Sequence, residues 1–158
     1  MLNSLATKQL NNSFMLRCAS EGIGIKGSPM QGVYALVIEL SGDLEIRIGS
    51  LGTRNFSAGN YVYIGSAQNG LDKRIKRHLG NKKTRYWHID YLLTLDSAEV
   101  EEILYKQAPK KLECETAKNL IQYGTPVLGF GSSDCRCESH LIRISEGKVA
   151  KILFDWII

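Results

Sequence analysis

From Gly32 onward, apolar runs and polar punctuation alternate at intervals that define elements. Val33 to Leu40 is a continuous apolar run closed by Ser41-Gly42-Asp43, and Leu44 to Ile48 alternates behind it. That pattern predicts a β-hairpin. Leu51 to Asn60 is polar and glycine-bearing and reads as a connection. Tyr61-Val62-Tyr63-Ile64-Gly65 has aromatic and β-branched residues and no proline, the make-up of a strand. After Asn69-Gly70, Leu71, Ile75 and Leu79 recur at helical spacing, with Gly80 as the stop. Trp87 to Leu95 reads as a second helix, Ala98 to Tyr105 as a strand, and Lys111 to Tyr123 as a third helix closed by Gly124. A Gly-Ser loop, Gly129 to Asp134, leads to strands near Ser139 to Ile144 and Val149 to Phe154, turned by Glu146-Gly147. The weakest pattern lies in residues 1–30, where Leu2 to Cys18 has the make-up of a helix and Glu21 to Pro29 is a glycine-rich loop. The expected architecture is a small α+β domain over residues 31–158, a mostly antiparallel sheet flanked by about three helices. Residues 1–30 are expected to be a loosely ordered extension.

Composition adds bounds. At 158 residues the chain is long enough to bury a core without disulfide or metal staples. Its 44% hydrophobic and 23% charged content is that of an ordinary globular protein. No apolar run approaches the roughly 18 residues that span a bilayer. Asn3, Ser4, Thr7, Lys8 and Gln9 interrupt any secretory pattern at the N-terminus. Four cysteines without an export signal read as reduced thiols, which places the expectation in the cytoplasm. The net charge of +4 is mild, but Lys73, Arg74, Lys76, Arg77, Lys82, Lys83 and Arg85 cluster with no acid among them. Such clustering is the footprint of a polyanion partner.

Helical phase sorts the candidate chemistry. At about 100° per residue, Arg74 and His78 share an edge bordering the apolar stripe of the first helix, while Lys73, Lys76 and Arg77 point toward solvent or a polyanion. A guanidinium at a cleft edge suits bidentate contact with phosphate. On the third helix Glu113 falls inside the apolar arc and Glu115 on the polar side. An inward carboxylate is costly unless paired or metal-bound, so Glu113 is the better metal ligand and Glu115 the alternative. His88 and Asp90, in the aromatic-flanked run Trp87 to Tyr91, are further candidates. Cys135, Cys137 and His140, with Cys114, equal a zinc ligand set in number. The C-x-C-x₂-H spacing departs from the usual C-x₂₋₄-C pair, so structural zinc is the lesser reading and reduced thiols lining core or site the first. No P-loop, Rossmann fingerprint, G-x-S-x-G elbow or H-E-x-x-H motif is present.

Gly32-Val33-Tyr34 and Tyr63-Ile64-Gly65, followed by Arg74 with His78 one turn on and an inward Glu113, resemble the GIY-YIG nuclease family. The runs YWHIDYLL, ECETA and GFGSSDCRCESHL look like its Uri-type superfamily endonuclease branch. The resemblance implies a metal-dependent endonuclease that hydrolyses phosphodiester bonds, with DNA as the expected partner and Mg²⁺ or Mn²⁺ as cofactor. By the same resemblance Tyr63 activates water, Tyr34 positions phosphate or water, Arg74 stabilises the pentavalent phosphorus and Glu113 holds the metal. His78 and His88 join them as catalytic candidates. Lys73, Lys76, Arg77, Lys82, Lys83 and Arg85 would track the nucleic-acid backbone. Gly65, Ser132, Asp134, Cys135, Cys137 and His140 would line the site. The sequence departs from the family in carrying an extra hairpin between the two tyrosines. It also lacks an asparagine between Gly124 and His140, where many members have one, leaving Ser132, Asp134 or His140 to substitute. The rival expectation is a nucleic-acid-binding module that keeps the fold without turnover.

Overall fold

A computed structural model of the chain describes residues 16–18, 31–80, 84–145 and 148. Strand β1 is Leu16–Cys18, β2 Gly32–Leu40, β3 Leu44–Ile48, β4 Gly52–Phe56 and β5 Gly59–Ala67. Helices α1 (Leu71–Leu79) and α2 (His88–Leu93) follow, then β6 (Ala98–Gln107), helix α3 (Lys111–Ile121), β7 (Gly124–Pro126) and β8 (Leu141–Ile144). The main sheet has the order β1-β6-β2-β5-β8-β7, and β3-β4 forms a separate ribbon. Every pairing is antiparallel except β1 with β6. The fold is α+β, as the pattern predicts.

Strand β2 is central, and apart from Glu39 its β-residues are buried. Both sheet faces are covered, so β2 reads as an unbroken apolar run rather than an alternating one. On one face Tyr34, Leu36, Ile38 and Tyr63 pack with Leu71, Ile75, Ile89 and Phe130. On the other, Val33, Ala35, Val37, Val62 and Ile64 pack with Leu120 of α3. Each large side chain so enclosed contributes roughly 1.5–3 kcal/mol of burial.

The hairpin partners differ from expectation. Both edges of β2 are taken by β5 and β6, so β3 pairs instead with β4. The polar-looking stretch 52–56 is therefore a strand. This ribbon is amphipathic, with Ile48 and Phe56 buried in the core and Leu44 and Ile46 packed against it. Strand β8 falls inside the expected 139–144 strand, but its observed partners are β5 and β7. The Glu146-Gly147 turn and the Val149 to Phe154 strand lie outside the described residues. So does most of the expected Leu2 to Cys18 helix, of which Leu16–Cys18 is instead a strand on β6.

Candidate active site and thiol cluster

Tyr34 lies opposite Gly65, and Leu36 opposite Tyr63. With a period of two, residues 34, 36, 63 and 65 share one face, and the tyrosine ring centroids are 6.4 Å apart. A Cβ at position 65 would collide with the Tyr34 ring and hydroxyl, so only glycine leaves room for this phenol. Helix α1 lays His78 over the pair. Its Nε2 is 2.6 Å from the Tyr34 hydroxyl, and both residues are buried. One turn earlier Arg74 Nη1 donates to the Ser66 carbonyl at 3.0 Å, and its guanidinium lies 4.2 Å from the centre of the Trp87 ring.

Glu113, in the first turn of α3, faces the same space. Ser66 Oγ donates to its Oε2, and His140 Nδ1 lies 3.0 Å from its Oε1. The latter approach has ion-pair distance without hydrogen-bond direction. Glu113 and Ser66 line a cleft of about 680 Å³ with Tyr34, Tyr63, Gly65, Arg74, Trp87 and His88, whereas His140, Ser132, Cys135 and Cys137, expected there, do not line it. Glu115 is exposed and does not line it. The helical-phase argument for the two carboxylates thus agrees with the structure.

Electrostatics follow from enclosure. Burial pushes the Tyr34 phenol above its ordinary value, with Arg74 only partly offsetting it. Tyr63 is likewise raised by burial and by the neighbouring Tyr34 and Glu113 oxygens. Both phenols therefore hold their protons at neutral pH. Burial lowers His88, whose Nδ1 accepts a 2.9 Å hydrogen bond from the Gly131 amide. Its work in the structure is to hold the 127–140 loop against the cleft. Burial would lower His140 too, but the adjoining Glu113 carboxylate outweighs it and raises the imidazole.

Arg77 does not project into solvent as its phase predicts. It forms a bidentate pair with buried Asp90, at 2.7 and 2.8 Å, and its guanidinium also lies 4.2 Å from the Trp87 ring centre. Asp90 additionally accepts the Tyr86 and Trp87 amides, each at 2.9 Å. Burial alone would raise the Asp90 carboxyl, yet Arg77 and these amides bring it below its usual value. Arg77 is thus a structural cation. Lys73, Lys76 and Arg85 are exposed, and Lys82 and Lys83 lie outside the described residues. Ser132 is buried. Asp134 is exposed at the cleft rim, 3.7 Å from Lys110. The sequence reading missed Ser66 and Trp87. The signal for Ser66 is its place directly after Tyr63-Ile64-Gly65; for Trp87 it is an aromatic directly before a capped helix.

The loop behind Glu113 folds by two left-handed glycines, Gly129 (φ 80°) and Gly131 (φ 71°), and by main-chain bonds from Gly129 to Glu138 and from His140 to Phe130. It carries Cys135, Cys137 and His140 to Cys114 of α3, and one ligand atom from each lies within 4.8 Å of the others. The three cysteines are free thiols. Four residues that could hold a metal thus meet, although their linear spacing argues for ordinary thiols. Burial and neighbouring sulfurs push the Cys137 thiol up to about 12.

Among the described residues no helix is long and apolar enough to cross a membrane. No curated protein and no solved structure matches the chain. A family profile matches residues 33–155, a span that takes in β2 to β8, the tyrosine cleft and the thiol cluster. The chain therefore belongs to the family described as domain of unknown function DUF123.

Proposed function

We propose that this protein is a metal-dependent endonuclease of the GIY-YIG type, Uri-like, which hydrolyses phosphodiester bonds in nucleic acid, DNA in the first instance. The observation that carries the reading is convergence. Tyr34, Tyr63, Arg74, His78 and Glu113 come from four elements, and all except the buried His78 directly line one cleft, with His78 joined to it through Tyr34. The exposed Lys73, Lys76 and Arg85 supply sequence-independent backbone attraction.

The 2.6 Å contact between Tyr34 and His78 favours Tyr34, rather than Tyr63, as the group that activates water. As water attacks phosphorus, its proton passes to the Tyr34 oxygen while the phenolic proton moves to His78 Nε2. Tyr34 therefore never has to exist as a free phenolate, which its burial would penalise. Tyr63 keeps its proton and donates to a non-bridging oxygen. Arg74, held by Ser66 and Trp87, meets the charge that grows on the phosphoryl oxygens. The P–O bond to the leaving oxygen breaks, and that oxygen takes a proton from solvent.

Glu113 is the residue that would hold Mg²⁺ or Mn²⁺, with Asp134 at the rim. Ser66 occupies one direction on one carboxylate oxygen, and the remaining lone pairs suit a hard cation that keeps several waters. A divalent ion held there would supply Lewis-acid charge to the phosphodiester.

The test is cleavage of single-stranded, duplex and branched DNA and of RNA, with Mg²⁺ or Mn²⁺ and with chelator. Metal-dependent cutting that Glu113→Ala abolishes and Glu115→Ala preserves is the expected result. Salt-sensitive binding with no cutting on any substrate would overturn it in favour of a nucleic-acid-binding module.

A further inference from the structure

We propose that Cys114, Cys135, Cys137 and His140 form a structural zinc site, and that His140 uses its second nitrogen to set the Glu113 carboxylate in the cleft. The cluster joins one helix to one loop, with Cys114 separated from Cys135 by most of α3, β7 and the first half of the loop. Convergence from such distant positions is not a by-product of local sequence. In a tetrahedral zinc site, Zn–S and Zn–N lengths place sulfur and nitrogen about 3.6 Å apart and sulfurs about 3.8 Å apart. Here His140 Nε2 lies 3.5 Å from Cys135 Sγ and 3.9 Å from Cys114 Sγ, and no two ligand atoms of the four exceed 4.8 Å. Contraction of the widest pairs by about an ångström completes the geometry. Three thiolates and one imidazole are soft donors that select zinc over the hard cations suited to Glu113.

The loop itself argues for a staple. Between Phe130 and Leu141 it reads Gly-Ser-Ser-Asp-Cys-Arg-Cys-Glu-Ser-His, with no large apolar side chain to anchor it. Order in such a stretch must come from polar or metal contacts. Zinc-bound histidines commonly pass their other N–H to a carboxylate, which fixes the ring and strengthens the ligand. Glu113 stands in that place, 3.0 Å from the buried Nδ1. Because Glu113 and Cys114 are adjacent on α3, the soft site and the cleft carboxylate share one rigid turn. Glu113 is thus the outer partner of the zinc site as well as a cleft residue, and His140 is a positioning residue.

Zinc binding stands independently of the nuclease reading; only the consequence for Glu113 in catalysis rests on it. The experiment uses the full chain. Elemental analysis after dialysis is expected to give one zinc per chain, and cobalt substitution a tetrahedral thiolate spectrum. Cys137→Ser should lose that spectrum. Glu113→Gln should keep the full stoichiometry yet weaken zinc about ten- to a hundredfold in a chelator competition. Because wild-type stoichiometry and the Glu113→Gln competition need no cysteine variant to fold, they decide the matter even if Cys137→Ser aggregates. Sub-stoichiometric zinc with no cobalt thiolate bands would overturn the site. Unchanged zinc affinity in Glu113→Gln would overturn the link to the cleft. A zinc protein that cuts nothing would sink the nuclease reading alone, and an active nuclease without zinc would sink this proposal alone.

Discussion

The cleft has two walls built on different principles. The strand-and-helix wall, from β2, β5 and α1, places Tyr34, Tyr63, Arg74 and His78 by apolar packing on a paired sheet. The opposite wall, from α3 and the 127–140 loop, places Glu113 by a chain of polar contacts through Ser66, His140 and the thiols. The first wall is rigid because its supports are buried Leu, Ile and Val; the second is only as firm as the cluster behind it. Chemistry assembled across both inherits the stability of the weaker one.

The comparison predicts damage that sorts by wall. Arg77→Ala leaves Asp90 buried without its cation and should cost about 3–5 kcal/mol of unfolding free energy, read by urea denaturation. The depressed Asp90 carboxyl also makes stability depend on pH. A carboxyl whose pKa is lowered by folding stabilises above its unfolded value, about 3.9. That contribution should fade as pH falls below about 4 and be missing from Arg77→Ala. If Arg77→Ala instead weakens DNA binding with stability intact, Arg77 serves the nucleic acid and not the wall.

Arg74→Ala should leave most of the fold intact and cut the cleavage rate by about 10²–10³, or some 3–4 kcal/mol of transition-state stabilisation. Equal losses in kcat and kcat/KM would mark an interaction made in the transition state. Gly65→Ala drives a methyl into the Tyr34 phenol and should destabilise by about 1–3 kcal/mol, with cleavage falling further than stability explains. Smallest of all, Lys73→Ala and Lys76→Ala should each lower the slope of log affinity against log salt by about 1. Their stability should stay within about 0.5 kcal/mol of wild type, as for surface substitutions generally.

Much of the cleft is visible in the sequence because many of its residues sit on regular elements whose phase can be worked out. The facing of Glu113 against Glu115 follows from 100° steps along one helix, and the shared face of Tyr34 and Tyr63 from strand alternation. What one element cannot reveal is a meeting of two. The Arg77–Asp90 pair joins α1 to α2, and the phase of α1 alone sends Arg77 outward. Ser66 reaches Glu113 across the fold, and Trp87 becomes a site residue only because Arg74 and Arg77 come to its ring. Strand β4 escapes notice because Gly52, Thr53, Arg54 and Asn55 offer one apolar neighbour, Phe56, too few for alternation to register. The thiol cluster is discounted by spacing rules because those rules describe ligand pairs on one short loop. Here the fourth ligand stands on a helix, and strand, turn and loop bring it home.

Strand β1 has a practical consequence. It lies before the family match, yet its main chain closes the outer edge of β6 over Ile103 to Tyr105. A chain trimmed to the matched span would bare those amides and carbonyls beside Leu104 and Ile103, an open template for another copy to pair with. Glu99, Glu101 and Glu102, just upstream on the same strand, would then be the remaining deterrent to edge-to-edge association. The N-terminal strand thus covers three residues of that edge with main-chain pairing.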